Sequence, residues 1–484
     1  MLILVFLGLQ LFLSPSLRGS DQFWYVGDVE RVVLQDGLFK TNSIFPNSMP
    51  DDISDLPRPW VQNKPVSYLV LPLVYLLQNG HIAWMLFNMI CLFLSAFFVA
   101  RVLQIMGVKL LYFVAAFVFF PFNFYLATQA LPEIFILFLI AGIHYLLLVP
   151  PINLKKIAVL AVITAVLICQ RPNYILLLIL IPLLFFIFNR KKALVFSLSF
   201  TAIALLSCSI ALLFGEHLIK SPSITDTIIN NVHGVSNMGN FFDQYDHSNV
   251  SLTDLIAIVL GKFGGAMQVQ FGFSGISAFM FYLVNLMLLS IPVLLVQRKL
   301  INQKHLVCLG FIGIHFMTVI LFFNQYRYAA AIMPSLFILC VSMLRNLNWR
   351  IVSNSFFRLA IIAGCFVASL AIGWQVRRQA STEREVTHEL RMLSEKQRFT
   401  ALMCTWNNGA GLGVGYAVSP KNIYFFPPDI ALEDWFSIAK KLNTKSGIIN
   451  PKATLYKKLK PFVIYEQPLE RTGMTYFEIN PDKK

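Results

Sequence analysis

The first 374 positions of the chain alternate between long apolar runs and short polar gaps, and the positions after them do not. Crossing a hydrocarbon core takes about 17–25 apolar residues. Runs of that length recur up to about residue 374, among them "IAWMLFNMICLFLSAFFVA" (82–100) and "ALVFSLSFTAIALLSCSIALLF" (193–214). Lipid offers no partner to a backbone amide, so each run has to satisfy its own amides as a helix. The pattern predicts about eleven spans, at 1–17, 82–100, 108–127, 134–149, 157–170, 173–189, 193–214, 273–296, 305–323, 329–344 and 356–374. From residue 375 charge rises and the apolar runs shorten. "TEREVTHELRMLSEKQRF" has the period of an exposed amphipathic helix, and "KPFVIYE" and "GMTYFEIN" read as strands. The expected fold is an all-α polytopic membrane bundle over residues 1–374, followed by a small α+β domain over 375–484, a length that suffices for one.

Composition supports the membrane class: the chain is 57% hydrophobic and only 13% charged, with 44 phenylalanines, where a soluble domain averages about 25% charged residues. Charge then orients the bundle, because Lys and Arg near the ends of spans stay cytoplasmic. Five gaps carry only basic residues: Arg101 and Lys109; Lys155 and Lys156; Arg190, Lys191 and Lys192; Arg298, Lys299 and Lys304; Arg345, Arg350 and Arg358. With these gaps inside, all 24 acidic residues fall in the remaining segments. Parity then starts with the N-terminus inside and leaves outside the loops 18–64 and 215–258, the tips 128–133, 171–172 and 324–328, and the C-terminal tail. The first span lacks the basic n-region of a cleaved signal and reads as an anchor. Arg377 and Arg378 follow the last span, but long domains translocate largely regardless of charge, so the tail is expected to be extracytoplasmic.

The net charge of +15 follows from this topology and a basic tail suited to anionic lipid headgroups. Nothing points to nucleic acid. Six of the seven cysteines fall in expected spans and only Cys404 lies in the tail, so the tail has no disulfide framework. The simple basic loops and this cysteine usage fit a bacterial inner membrane.

Polar groups at membrane depth are costly and mark function, so the candidates lie at the outer tips. In "FWYVGDVERVVLQDG" (23–37), Asp28 follows the first span closely enough to stand at the membrane surface. There it can act as general base toward an acceptor hydroxyl. Glu30 has the same capacity, and the DxE spacing is a weak signal for a divalent metal. If 28–36 is helical, Asp28 and Arg31 become an i,i+3 pair and Val29, Val32 and Val33 a buried stripe, with no chemistry required. In "NQYRYAAAIMPSLFIL" (324–339), Arg327 offers a bidentate fork for a phosphate, flanked by Tyr326 and Tyr328 at headgroup depth; an interfacial anchor with an aromatic belt is the competing reading. In "CQRPNY" (169–174), Arg171 sits at or just below the outer interface and calls for an anionic partner unless it snorkels. In "ALPEIF" (130–135), Glu133 is the tip's one acid and pairs with either Arg171 or Arg327. The loop residues His233, Asp243, Asp246 and His247 have no diagnostic metal spacing, and their Gly/Asn-rich surroundings read as a flexible acceptor loop.

Taken in order, "GDVERVVLQDG" after the first span, "KPVSYLVLPLVYLLQNG" (64–80), "ALPEIF", "QRPNY" (170–174) and "QYRYAAAIMPSLF" resemble the GT-C superfamily of integral-membrane glycosyltransferases. That group includes protein mannosyltransferases and bacterial aminoarabinose and related lipid-linked sugar transferases. The resemblance covers about residues 20–345. It implies a polyprenyl-phosphate sugar donor entering from the lipid, its phosphate held by Arg327 with Tyr328 and by Arg171, and Glu133 in support. The first-loop acid would deprotonate a lipid, glycan or protein acceptor on the outer face. It also makes 65–78 a juxtamembrane helix closing the donor cavity, for which the parity count has no span to spare. The acidic motif here is "GDVE" rather than an adjacent acidic pair, which leaves Asp28 against Glu30, and metal use, open. A nucleotide-binding Gly-rich loop is neither needed nor present. Two other classes compete: a glycan polymerase or ligase using a diphosphate-linked donor, and a transporter, for which Lys262 is the main ionisable residue inside an apolar stretch.

Overall fold

The computed structural model describes residues 2–17, 20–33, 65–107, 110–188, 191–214, 303–321, 326–346, 355–397, 401–405, 422–426, 430–441 and 443–480, with a few positions between 284 and 292 and residue 417. The long loops 34–64 and 215–258, with Asp36, His233, Asp243, Asp246 and His247, and the stretch holding Lys262, lie outside these residues.

Helices α1 (Leu2–Leu13), α2 (Ser20–Arg31), α3 (Pro65–Leu77), α4 (Gly80–Ile105), α5 (Leu110–Val118), α6 (Pro121–Ala127), α7 (Glu133–Leu148), α8 (Leu154–Gln170), α9 (Leu177–Phe188), α10 (Ala193–Phe214), α11 (Gln303–Leu321), α12 (Met333–Asn346) and α13 (Ser355–Lys396) build the bundle. Among the described residues, Gly80–Ile105, Ala193–Ile210 and Arg358–Lys396 are long and apolar enough to cross a membrane. The expected spans at 134–149, 173–189 and 329–344 are present as shorter apolar helices. Two of these are preceded by 3-10 turns, Pro172–Leu176 and Tyr326–Ile332. At about 2.0 Å rise per residue, such turns carry the chain further through the bilayer than α-helix would.

The expected single span at 108–127 is instead two helices. Pro121 has no N–H to donate and restricts Phe120 to an extended conformation (φ −60°, ψ 124°), which ends α5 and starts α6. Such a break in a membrane bundle must find new partners for the freed carbonyls. Asn123 Nδ2 donates to Phe117 O at 2.9 Å, and Ser369 Oγ of α13 donates to Phe119 O at 2.8 Å. Phe6 of α1 fills the space beside the break, with ring centroids 5.4–5.6 Å from Phe93, Phe119 and Phe124.

The compositional change at residue 375 is not a break in structure: α13 runs for 42 residues straight through it. Its middle is fastened to the end of α1. Arg377 Nη1 donates to Phe12 O at 2.6 Å with its guanidinium 3.9 Å from the Phe12 ring, and Ser16 Oγ donates to Ala380 O. Gly373 lets the helices approach, since a Cβ there would lie 2.5 Å from Leu13 Cδ1.

The tail forms a five-stranded sheet of β1 (Ala401–Thr405), β2 (Asn422–Phe426), β3 (Ser446–Ile449), β4 (Val463–Leu469) and β5 (Met474–Ile479), in the order β2-β1-β3-β5-β4. β1 is parallel to β2 and β3, while β5 runs antiparallel to β3 and β4. The period of two sorts side chains to opposite faces. Leu402, Cys404, Ile448 and Tyr476 meet Leu390 and Leu393 of α13; Met403, Ile449 and Phe477 meet Trp435 and Ile438 of α14 (Leu432–Lys441) and Leu455 and Leu459 of α15 (Thr454–Leu459). Burial pushes the Cys404 thiol up to about 12. The expected strands in "KPFVIYE" and "GMTYFEIN" are thus β4 and β5, and the expected amphipathic helix is the far end of α13. The β4–β5 turn docks on that helix: Arg471 pairs with Glu385 at 3.0 Å, and the Glu389 carboxylate accepts the N–H groups of Arg471 and Thr472.

Candidate active site

One end of the bundle collects five short pieces: α2, the start of α3, the turn between α6 and α7, the end of α8, and the 3-10 turn before α12. Each is tied there by a named contact. On α2, Phe23, Val26, Val29 and Val32 are buried, so the segment after the first helix packs as an amphipathic helix against α3 and α4. Gln22, one residue before that stripe, accepts the Ala130 N–H at 3.2 Å, joining α2 to the α6–α7 turn. Asn88 of α4 donates to Gln129 O at 2.5 Å in the same turn.

Glu30 and Asp28 are separated by this geometry. Two positions apart on a helix is about 200° around the axis, so the chain does not present them on one face as a strand would. Glu30 Oε1 accepts the Gly80 N–H at 2.7 Å, at the first residue of α4, where Asn79 caps the Ile82 N–H at 2.9 Å. A carboxylate on those unpaired donors also meets the positive end of the helix dipole. The contact requires glycine: a Cβ at Gly80 would lie 2.6 Å from Glu30 Cγ and 2.8 Å from Val26 Cγ1. Asp28 occupies the arc of α2 opposite Val26 and Glu30.

Glu133 opens α7, is 1% exposed, and pairs with Arg171 at 2.9 Å between Oε1 and Nη2. Arg171 is one of its two candidate partners, brought there because the start of α7 and the end of α8 are neighbours. The preceding residue fixes that end: buried Gln170 accepts the Val66 N–H at 3.1 Å, capping the first turn of α3. Tyr174, two residues into the following 3-10 turn, is buried beneath it.

Arg327 and Tyr328 stand in the 3-10 turn Tyr326–Ile332, which packs against α7. Their depth follows from a contact further down. His144 of α7 and Ser335 of α12 are hydrogen-bonded at 2.9 Å. Glu133 lies about 16 Å above His144 at 1.5 Å per residue, and Arg327 about 15 Å above Ser335 at the 3-10 and α rises. The backbones of Arg327 and Glu133 are therefore level, and Glu133 carries Arg171 beside it.

Among the described residues no group of three or more His, Cys, Asp or Glu could hold a metal ion. Glu30 and Glu133, the two acids nearest the site with described side chains, have given an oxygen each to Gly80 and Arg171. Alongside α2 and α3 runs an apolar groove of about 540 Å³ lined by Val32, Val33, Leu71, Pro72, Tyr75 and Leu76. Sequence reading missed Gln22, Gln170 and Gly80. The first flanks a candidate motif and the second lies inside one beside the more conspicuous Arg171, and the third is visible only as the Gly of "QNGH".

No sequence family and no curated protein sequence matches the chain. Solved structures do match in fold. ArnT from Cupriavidus metallidurans bound to undecaprenyl phosphate aligns with a TM-score of 0.58 at 10% identity, over 99% of this chain and 97% of that one. The apo state of the same protein aligns at 0.56 and 11%, over 98% and 96%. The Archaeoglobus fulgidus oligosaccharyltransferase in complex with Zn and sulfate aligns at 0.51 and 12%, over 100% of this chain and 74% of that one. At such identities the likeness is one of fold: the chain folds as these proteins do.

Proposed function

We propose that the protein is a membrane glycosyltransferase that moves a sugar from a polyprenyl-phosphate donor to an acceptor hydroxyl on the extracytoplasmic face. The observation that carries this reading is the buried Glu133–Arg171 pair, which holds a guanidinium level with Arg327 at the end of the bundle that bears Asp28, in a GT-C fold. Asp28 is the base, and Glu30, which gives a carboxylate oxygen to the Gly80 N–H at the start of α4, has a structural role. It takes the hydroxyl proton as the acceptor oxygen bonds to the anomeric carbon. The bond from that carbon to the phosphate oxygen breaks, and its electron pair leaves with the polyprenyl phosphate. Arg327, with Tyr328, and Arg171 offset the added negative charge, which fixed cations do best in a site shielded from water. The groove beside α2 and α3 suits an isoprenoid tail, and ArnT, which shares the fold, is bound to undecaprenyl phosphate. The tail over 375–484 stands on the same side, since α13 leaves the bundle where α1 ends.

The test is transfer of radiolabelled sugar in native membranes from a panel of polyprenyl-phosphate sugars. Asp28→Asn loses about 10²–10⁴-fold in rate, the range for a removed general base, while Asp36→Asn retains activity. Equal rates in both variants overturn the assignment of the base. No transfer by the unaltered protein from any donor overturns the donor class.

A further inference from the structure

The tail carries its positive charge unevenly: between Asp434 and Glu466 there are seven lysines and no Asp or Glu. The fold gathers most of them at one end of the sheet. β4 runs along α13 in the opposite sense, with Tyr465 Oη 3.5 Å from Gln397 Nε2 and Arg471 paired with Glu385. Six strand residues cover about 20 Å and twelve helix residues about 18 Å, so the two lie alongside each other and the start of β4 is far from the bundle. β5 finishes and β3 begins at that same end, where the Ile479 N–H donates to Lys445 O and the Asn480 N–H to Phe462 O, both at 2.9 Å. α14 ends there too, because the Thr444 N–H reaches back to Ala439 O, and α15 runs straight into the 3-10 turn Lys460–Phe462. Lys440, Lys445, Lys457, Lys458 and Lys460 are exposed on this rim. The neighbouring acids of β4 and β5 are engaged: Glu466 accepts from Lys460 and Tyr456, and Glu478 accepts from Tyr476 at 2.6 Å. A lysine in the last turn of a helix complements its dipole, which accounts for Lys457 and Lys458 of α15. It does not account for Lys445, which precedes β3.

We propose that this lysine rim binds an anionic glycan, a polymer of sugars bearing repeated acidic groups, and holds it off the membrane. Height decides against lipid. Gln397 comes twenty residues after Arg377, about 30 Å along the axis, and α13 is unbroken as far as Lys396. Salt screens exposed charges over about 8 Å under physiological conditions. The field of the headgroups is spent well before it reaches the rim, so the charge serves a polyanion arriving from solution and not the lipid surface that composition alone suggests. Lysines are point charges on flexible stems, without the planar fork of arginine, and suit anions repeated along a flexible chain in no fixed orientation. On the first residues of β4, at the same end, Ile464 and Tyr465 are 57% and 43% exposed, an apolar surface on which the face of a sugar ring can pack. The choice of a glycan, as acceptor or product, rests on the proposed function; the charge of the rim and its height do not.

The test places the full-length protein in nanodiscs of phosphatidylcholine and measures binding of fluorescent polygalacturonate, with neutral dextran as control. Polygalacturonate should bind, dextran should not, and added salt should weaken the binding. Lys445→Gln, Lys457→Gln and Lys458→Gln together should weaken it about tenfold, the sum of three exposed ion pairs. Lys155→Gln, Lys191→Gln and Lys192→Gln together remove as much charge from the bundle and should change it by less than about twofold. Lys460 is kept in both variants, so its bond to Glu466 stays. No binding of polygalacturonate, equal binding of dextran, or equal losses in the two triple variants overturns the proposal. Tighter binding of single-stranded DNA or of phosphatidylglycerol vesicles, lost with the same three lysines, overturns the assignment to a glycan. Binding is read without transfer, so a protein that binds the polymer but transfers from no donor counts against the proposed function alone.

Discussion

Glu30 and Glu133 are both carboxylates at helix N-termini, yet their removal has different consequences. Glu30 meets the first N–H of α4 from outside the helix. Glu30→Ala should cost about 0.5–2 kcal/mol of stability, the range for a lost cap, measured by thermal unfolding in detergent, with transfer per folded molecule retained. Glu133 faces a guanidinium that is itself mostly buried, the Arg171 side chain being 17% exposed. Glu133→Ala should therefore cost about 3–5 kcal/mol, because it removes a carboxylate that offsets a mostly buried charge. Adding Arg171→Ala should recover part of that loss, and a double-mutant cycle reads the coupling. Additive losses would place the energy in packing rather than in the pair. The sequence offered Asp28 and Glu30 as equals, since both follow the first span. Only the position of α4 separates them, and no local pattern around Glu30 encodes a contact fifty residues away.

At the level of elements, what could be read was periodicity, and what could not was where it is interrupted and against what. The stripe Val29 and Val32 was legible as the buried face of a helix, and Val66, Val70 and Val74 repeat at the spacing that buries α3. The division of 108–127 had a visible cause in Pro121, but its tolerance did not: that depends on Ser369, distant in the chain, reaching Phe119 O. In the tail, strand periodicity placed β4 and β5, and a polar cluster around Glu466 of β4 gives a pH test. The Lys460 ammonium and the Tyr456 hydroxyl both donate to Glu466 and hold its carboxyl below the usual range. Burial, with the same carboxylate, pushes the Tyr456 phenol above its own. A carboxyl lowered on folding stabilises fully above its unfolded value and loses that contribution as pH falls through its folded value. Glu466 is nearly half exposed, so the contribution is a few tenths of a kcal/mol. Unfolding of the full-length protein should show a steeper loss of tail stability below about pH 4.5 than Glu466→Gln, which should flatten that limb. Identical acid limbs would remove the cluster from the account.

For the whole molecule, α13 joins a lipid-facing half to a water-facing half without a joint. Flexible linkers let a tail find its own orientation, and their length can drift with little effect. A continuous helix allows neither. Each residue added between the Arg377 clasp on α1 and the Glu385 contact with the β4–β5 turn would swing the sheet by about 100° and lift it by about 1.5 Å. The tail thus has a compass bearing, fixed by counting residues, and a single-codon insertion there would turn whatever surface it holds over the end of the bundle away from it.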